Sequence, residues 1–227
     1  MPSDVNAEIS SKGKSLTDIV RRRLHACGPG SVVSPTDFLA FGSRAAVDQA
    51  LSRLARDGTL RRLRQGVYYV PQVNERLGIA LFPTPDALAQ ALARSQKIQL
   101  QVAGAKAANL LGLSEQVPAR IVYLTDGATG RMQVDSQTIE LRHAAPRSMR
   151  TAGRISGTVI QALRHLGQKQ VTPEVISHLR ATLSDQDKQT VQQDLLFAPG
   201  WMHPLLSSIL MSSVVEKAVL EKTGAKA

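Results

Sequence analysis

Along residues 15–71 the spacing of apolar residues switches between helical and extended periods, and each switch falls at a capping or turn residue. Leu16, Ile19, Val20, Leu24 and Cys27 recur at helical spacing behind Ser15-Leu-Thr-Asp18, a capping box with Asp in place of the usual Glu. Gly28-Pro29-Gly30 stops that run, so a first helix is expected, with Cys27 on its inward stripe as a buried structural thiol. A short strand follows at Ser31–Val33. Ser34-Pro35-Thr36-Asp37 then supplies an N-cap, a proline at the first helical position and an acid in the first turn. This predicts a short second helix that carries Phe38 and Leu39 inward before Gly42 ends it. Ser43 caps a third helix that reaches Asp57, with Gly58 placed as its left-handed terminator. Its core residues are Val47, Ala50, Leu51 and Leu54, at i, i+3, i+4 and i+7. The segment Leu60–Val70 reads as a hairpin turning at Gln65-Gly66.

After Pro71 the texture changes. Thr84-Pro85-Asp86 caps a helix with Leu88, Ala91 and Leu92 on one face, and Ile98–Val102 reads as a strand alternating with Gln99 and Gln101. A short helix, Gly104–Leu111, is followed by the apolar strand Ile121–Leu124 and a hairpin of Met132–Val134 with Thr138–Arg142. From Ser156 onward the signals are helical: Val159, Ile160, Leu163 and Leu166 before Gly167, then Val175, Ile176, Leu179 and Leu183 behind Thr172-Pro173. A further helix runs from Ser184 to Phe197, and a last one starts at Pro204. The Arg-rich, weakly apolar stretch Pro146–Gly157 reads as a boundary.

A helix, a strand, two tightly joined helices and a hairpin, in that order, make a winged helix-turn-helix. The expected fold class is α+β: a flexible tail at 1–14, a winged helix at 15–73, a small α/β domain at 74–152 and a helical region at 153–227.

Charge adds a partner to this picture. The chain carries 28 Lys+Arg against 18 Asp+Glu, a formal net charge of +10, which favours polyanions without proving one. The outer face of the third helix holds Arg44, Ala45, Asp48, Gln49, Ser52, Arg53 and Arg56. In a helix-turn-helix the start of the second helix meets base edges, so Ser43, Arg44, Ala45, Asp48 and Gln49 are the candidates for readout. Arginine suits the two acceptors of guanine and glutamine suits adenine, while Arg53 and Arg56 are better placed for phosphates. Any solvated helix face has a similar polar pattern. What weighs for double-stranded DNA is the hairpin, which adds Arg61, Arg62, Arg64 and Gln65 on one ribbon, as a wing would. From Arg76 to Arg154 there are ten Lys/Arg against five acids. A second surface for nucleic acid or an acidic partner is therefore expected, with Lys106, Arg120, Arg142, Arg147 and Arg150 as candidates. Ordinary solubilising charge is the competing explanation for each of them taken singly.

Catalytic chemistry finds no comparable pattern. His25, His143, His165, His178 and His203 lack metal-ligand spacing, and none pairs locally with a cysteine or carboxylate. Gly104-Ala-Lys106 lacks the flanking residues of a phosphate-binding loop, no Gly-x-Ser-x-Gly elbow occurs, and Asp126 sits where a turn favours Asp for its geometry alone. No catalytic residue, metal or cofactor is expected. A lone cysteine excludes a disulfide framework. Met1–Lys14 is polar, without the apolar core of a signal peptide, and no run approaches a transmembrane length, so a cytoplasmic protein is expected.

The segments Arg61-Arg-Leu-Arg-Gln-Gly-Val-Tyr-Tyr-Val-Pro71, Gly104-Ala-Lys-Ala-Ala-Asn-Leu-Leu-Gly-Leu113, Pro118-Ala-Arg-Ile-Val-Tyr-Leu-Thr125 and Leu141-Arg-His-Ala-Ala-Pro146 follow one another in an order of their own. That order resembles the AbiEi family of antitoxins, bacterial proteins of abortive infection and type IV toxin–antitoxin systems. The similarity extends to residue 170. It implies an N-terminal domain that represses its own operon at inverted repeats. It also implies that the remaining domains help neutralise a nucleotidyltransferase-type toxin, directly or through its target, although the region after residue 170 inherits little from the similarity; with α2 and the wing given to DNA, neutralisation is expected in residues 74–227. The alternative is a ligand-responsive winged-helix transcriptional regulator unconnected to a toxin. Its mark would be an apolar cavity with convergent polar groups.

Overall fold

Ser15 opens α1 (Leu16–Cys27) through the expected capping box, its hydroxyl accepting from the Asp18 N–H at 3.2 Å while the Asp18 carboxylate accepts from the Ser15 N–H at 3.2 Å. The computed structural model describes residues 15–134 and 137–211. The expected tail at 1–14 and the end of the helical region, beyond 211, lie outside the described residues. Val20 and Leu24 of α1 are buried, but Cys27 is exposed, against expectation. It is the last residue of the helix, and Gly28, at φ 78°, turns the chain away there, so the thiol lines a cleft and not the core.

After β1 (Val32–Val33) the predicted second helix is a 3-10 turn, Pro35–Phe38. At three residues per turn, Pro35 and Phe38 point the same way and are buried, whereas Leu39 is 44% exposed. The expectation that Leu39 turns inward is corrected by this tighter geometry. α2 (Arg44–Arg56) is capped by Ser43, ends at Asp57, and buries Val47, Ala50, Leu51 and Leu54. Gly58 follows at φ 82°. β2 (Arg61–Arg64) and β3 (Val67–Tyr69) form the hairpin around Gln65-Gly66, with Gly66 at φ 72°. β3 pairs on its other side with β1, so the antiparallel order is β1-β3-β2. Val20, Leu24, Val33, Phe38, Leu51, Leu54, Leu60 and Tyr68 form one core beneath these elements. Helix, strand, turn, helix and hairpin together are a winged helix.

The next two elements do not follow the expected division. β4 (Gln72–Asn74) and β5 (Ile79–Leu81) form a second hairpin, which the sequence did not suggest, and Phe82 stacks on Tyr69 of β3 with ring centroids 6.3 Å apart. α3 (Pro85–Gln96) is tied to the winged helix: Arg94 Nε donates to Asp37 at 3.1 Å and its terminal nitrogen to the Val32 carbonyl at 2.9 Å. The first compact unit therefore closes at Lys97 and not near residue 73.

The second unit, from Ile98, holds β6 (Leu100–Ala103), α4 (Gly104–Leu110), β7 (Arg120–Thr125), β8 (Gly130–Val134) and β9 (Gln137–His143). Its sheet order is β6-β7-β9-β8, with β7 and β9 parallel and the other pairs antiparallel. α5 (Pro146–Met149) leads into the helices α6 (Ile155–Leu166), α7 (Pro173–Thr182), α8 (Asp185–Gln193) and α9 (His203–Leu210). The expected boundary near residue 152 is a packed junction. Met149, Thr151, Ser156 and Gly157 are buried there, and α6 packs on α4 and β6. The Ser156 hydroxyl and the Arg154 guanidinium, the latter at 2.8 Å, both donate to the buried carboxylate of Asp194. Small α/β domain and helical region thus share one core, in which Ala107, Leu111, Val159, Leu163, Leu179 and Met202 meet.

Candidate nucleic-acid interface

The helical period leaves one face of α2 to solvent once Val47, Ala50, Leu51 and Leu54 are committed to the core. On that face Ser43, Arg44, Ala45, Gln49, Arg53 and Arg56 are exposed, and Asp48 is half-buried. The Ser43 hydroxyl accepts from the Ala46 N–H at 3.3 Å, so its oxygen serves the cap while its O–H stays free to donate. Arg44 Nε donates to Asp48 at 3.0 Å, an i,i+4 pair that orients the guanidinium and leaves its terminal nitrogens unused. Among the described residues Gln49, Arg53 and Arg56 make no side-chain hydrogen bond or ion pair.

The hairpin repeats this pattern on an extended backbone. Arg61, Arg62, Arg64 and Gln65 are exposed while Val67, Tyr68 and Tyr69 of the partner strand are buried. Arg62 pairs across the ladder with Tyr68 and lies over its ring, 5.9 Å from the centroid. It also donates to the Arg64 carbonyl at 3.4 Å, across the bulge between Arg62 and Arg64. The guanidinium of Arg62 is thereby held, whereas those of Arg61 and Arg64 are unengaged among the described residues.

α2 is braced from behind. Arg21 on α1 bridges Asp18 at 3.4 Å and Asp57, the C-terminal cap of α2, at 3.0 Å. The Thr59 hydrogen bond, then Arg21, holds the Asp57 carboxyl below its ordinary value, so at neutral pH it is a fixed anion at the end of the helix.

The second basic surface is only partly assembled. Arg120 and Arg142 meet at Glu140, joined by Arg131, which is not among the expected candidates. Hydrogen bonding by Arg142, reinforced by the charges of Arg142, Arg131 and Arg120, keeps the Glu140 carboxyl below the usual carboxylate range. The other candidates lie elsewhere. Lys106 is half-buried on α4, Arg147 donates to the Leu196 carbonyl at 3.3 Å, and Arg150 is exposed at the end of α5. The missed pair, Arg131 with Glu140, is a cross-strand contact, and no local pattern in the sequence reports it.

One cleft of about 490 Å³ lies within the first unit, lined by Arg23 and Cys27 of α1, Val32, Asp37, and Gln90 and Arg94 of α3. Among the described residues no three His, Cys, Asp or Glu side chains gather as a metal ion requires, and no helix is long and apolar enough to cross a membrane.

The profile of DUF6088, a family of unknown function, matches residues 19–191. The chain belongs to this family. No curated protein matches it. The DUF6088 match runs from Ile19 in α1 to Val191 in α8, so it takes in α2, the wing and the arginines around Glu140 within one family-wide region.

Proposed function

We propose that this DUF6088 protein is a DNA-binding repressor of its own operon and the antitoxin of a nucleotidyltransferase-type toxin, acting in the cytoplasm without turnover. The observation that carries the DNA half is the exposed arginine set, unengaged among the described residues but for the Arg44–Asp48 pair, on the two elements that a winged helix presents to a duplex. Arg44 and Gln49 stand at the start of α2, with Arg53, Arg56, Arg61 and Arg64 along its far end and the wing. In this reading α2 enters the major groove, Arg44 and Gln49 contact base edges, and the remaining arginines hold phosphates. The antitoxin half is supported by the resemblance to the AbiEi family.

Binding to the chain's own promoter tests the first half. Arg44→Ala is expected to weaken specific binding by about 1–3 kcal/mol and to relax specificity. Unchanged specific binding in the Arg44→Ala/Gln49→Ala double variant would remove the assignment. Co-expression with the product of the neighbouring gene, which this reading expects to be a nucleotidyltransferase, tests the second half: the full chain is expected to rescue growth, and residues 1–97 alone are not.

The cleft favours a second reading, a ligand-responsive regulator. It combines apolar Val32 and Phe38 with polar Asp37, Gln90 and Arg94 inside the DNA-binding unit itself. A small molecule that raises the thermal midpoint and shifts promoter affinity, in an organism lacking the toxin gene, would favour it.

A further inference from the structure

We propose that the face formed by β7, β9 and β8 binds the phosphodiester backbone of a nucleic acid, with Arg120, Arg131 and Arg142 as the gripping groups and Glu140 as the residue that positions them. This deepens the reading above by giving the second unit a partner class, and it stands or falls without the winged helix.

The placement follows from register. Arg131 on β8 lies directly across from Glu140 on β9, and Glu140 lies across from Val122 on β7. Side chains two apart on a strand share a face, so Arg120, Glu140, Arg142 and Arg131 all project to the same side. The distances separate their roles. Arg142 donates to Glu140 at 2.8 Å, whereas Arg120 and Arg131 stand 3.7 and 3.8 Å from its other oxygen, within reach of its charge but beyond hydrogen bonding. That oxygen is buried and accepts no hydrogen bond. Arg120 and Arg131 therefore keep their full set of donors, and no other partner engages them among the described residues.

The charge balance points to an anion. One carboxylate, 13% exposed, faces three guanidiniums that are 58%, 64% and 52% exposed, which leaves the cluster positive. Three cations on neighbouring strands would repel one another, and the half-buried carboxylate holds them together while covering few of their donors. A guanidinium fork matches paired phosphate oxygens, and its weak hydration lowers the cost of exchanging water for them. The openness of the face suits a long polyanion better than a small one, which needs enclosure. Among the described residues of these strands no aromatic shares the face, since Tyr123 projects to the other side, where it is buried. Recognition is then of backbone charge, tolerant of sequence and steeply dependent on salt.

The test uses the full chain in a background of Arg44→Ala, Arg53→Ala, Arg61→Ala and Arg64→Ala, which silences α2 and the wing. Fluorescence anisotropy across a salt series is read with short single-stranded RNA, single-stranded DNA and duplex DNA. The background is expected to retain binding. Adding Arg120→Ala, Arg131→Ala and Arg142→Ala should weaken it at least about tenfold. The salt slope should fall by roughly 0.7 for each phosphate left unneutralised on a single strand, or roughly 0.9 on a duplex. Glu140→Gln keeps all three arginines and an oxygen that can still accept from Arg142, but removes the negative charge that offsets them, so it should tighten binding and steepen the slope. Preference for RNA would identify RNA as the source of the phosphates, and equal binding a backbone of either kind; both support the proposal. A cluster that merely staples the strands predicts the reverse: Glu140→Gln lowers the thermal midpoint and leaves affinity unchanged, and that result would overturn it. If Glu140→Gln does not fold, Arg131→Ala decides, because the Arg131 side chain makes no hydrogen bond among the described residues and lies on an edge strand. Loss of binding to the purified toxin by the triple variant, with nucleic-acid binding intact, would also overturn it and assign the face to a protein partner.

Discussion

At the scale of single residues, two kinds of position behave differently. Arg44 and Gln49, the two base-reading candidates proposed above, are exposed, so their replacement is expected to act on binding and not on folding. Gly157 is the opposite case. It is buried in α6, and a methyl added there would collide with the backbone carbonyl oxygen of Thr151 and with Oε1 of Gln101. Gln101 is itself buried, its amide nitrogen donating to the Val102 carbonyl at 3.0 Å, so it has little room to move aside. Gly157→Ala is therefore expected to destabilise the second unit by about 1–3 kcal/mol. Gly130→Ala, where the added carbon meets nothing, is the control and should be neutral. Thermal unfolding of the two variants checks this, with promoter binding by the first unit unaltered in both.

At the scale of elements, the proposed function divides one task between α2 and the wing. A helix offers a few side chains to base edges, whereas a ribbon with Arg61 and Arg64 on its outer edge offers charge along the backbone. Removing Arg53, Arg61 or Arg64 is expected to weaken binding to operator and unrelated duplex alike and to lower the salt slope by about 0.9 for each. Arg62→Ala should lower the slope less, because its guanidinium already lies over Tyr68 and donates to the Arg64 carbonyl. Salt titrations of the four single variants measure this ordering, and equal slopes for Arg62→Ala and Arg64→Ala would contradict it. The wing itself depends on Gly66, whose φ of 72° closes the turn that sets the register of Arg64 against Val67.

At the scale of the molecule, the chain divides between Lys97 and Ile98. A fragment of residues 1–97 keeps α3 with the Arg94 contacts to Asp37 and the Val32 carbonyl, and keeps Phe82 against Tyr69. Residues 1–73 lose all three. The longer fragment is expected to fold and bind promoter DNA, while the shorter one melts at a clearly lower temperature, its core being marginal at that size. Circular dichroism melts of both fragments check this, and equal midpoints would show that α3 adds nothing to the winged helix. Neutralisation is expected to need residues 98–227, since the division leaves the Glu140 cluster there.

The sequence by itself determined what depends on neighbours in the chain. Ser15 and Asp18, Ser43 with the i, i+3, i+4, i+7 stripe of α2, and the Gln65-Gly66 turn each fix a local geometry, so the winged helix and its exposed arginines were legible from order and spacing alone. Where a stripe ran out the reading failed: Cys27 and Leu39 are apolar residues at element ends, and only the packed neighbours decide which way an end faces. The tertiary structure alone decided the domain division, because Arg94 reaches Asp37 and Arg154 reaches Asp194 across long stretches of chain. It also decided the second surface. Parallel pairing of β7 with β9 brings Arg120 and Arg142 to one carboxylate, and the β8 register adds Arg131. Residues so far apart in sequence meet only once a sheet has set its register, and charge composition can count them but not gather them.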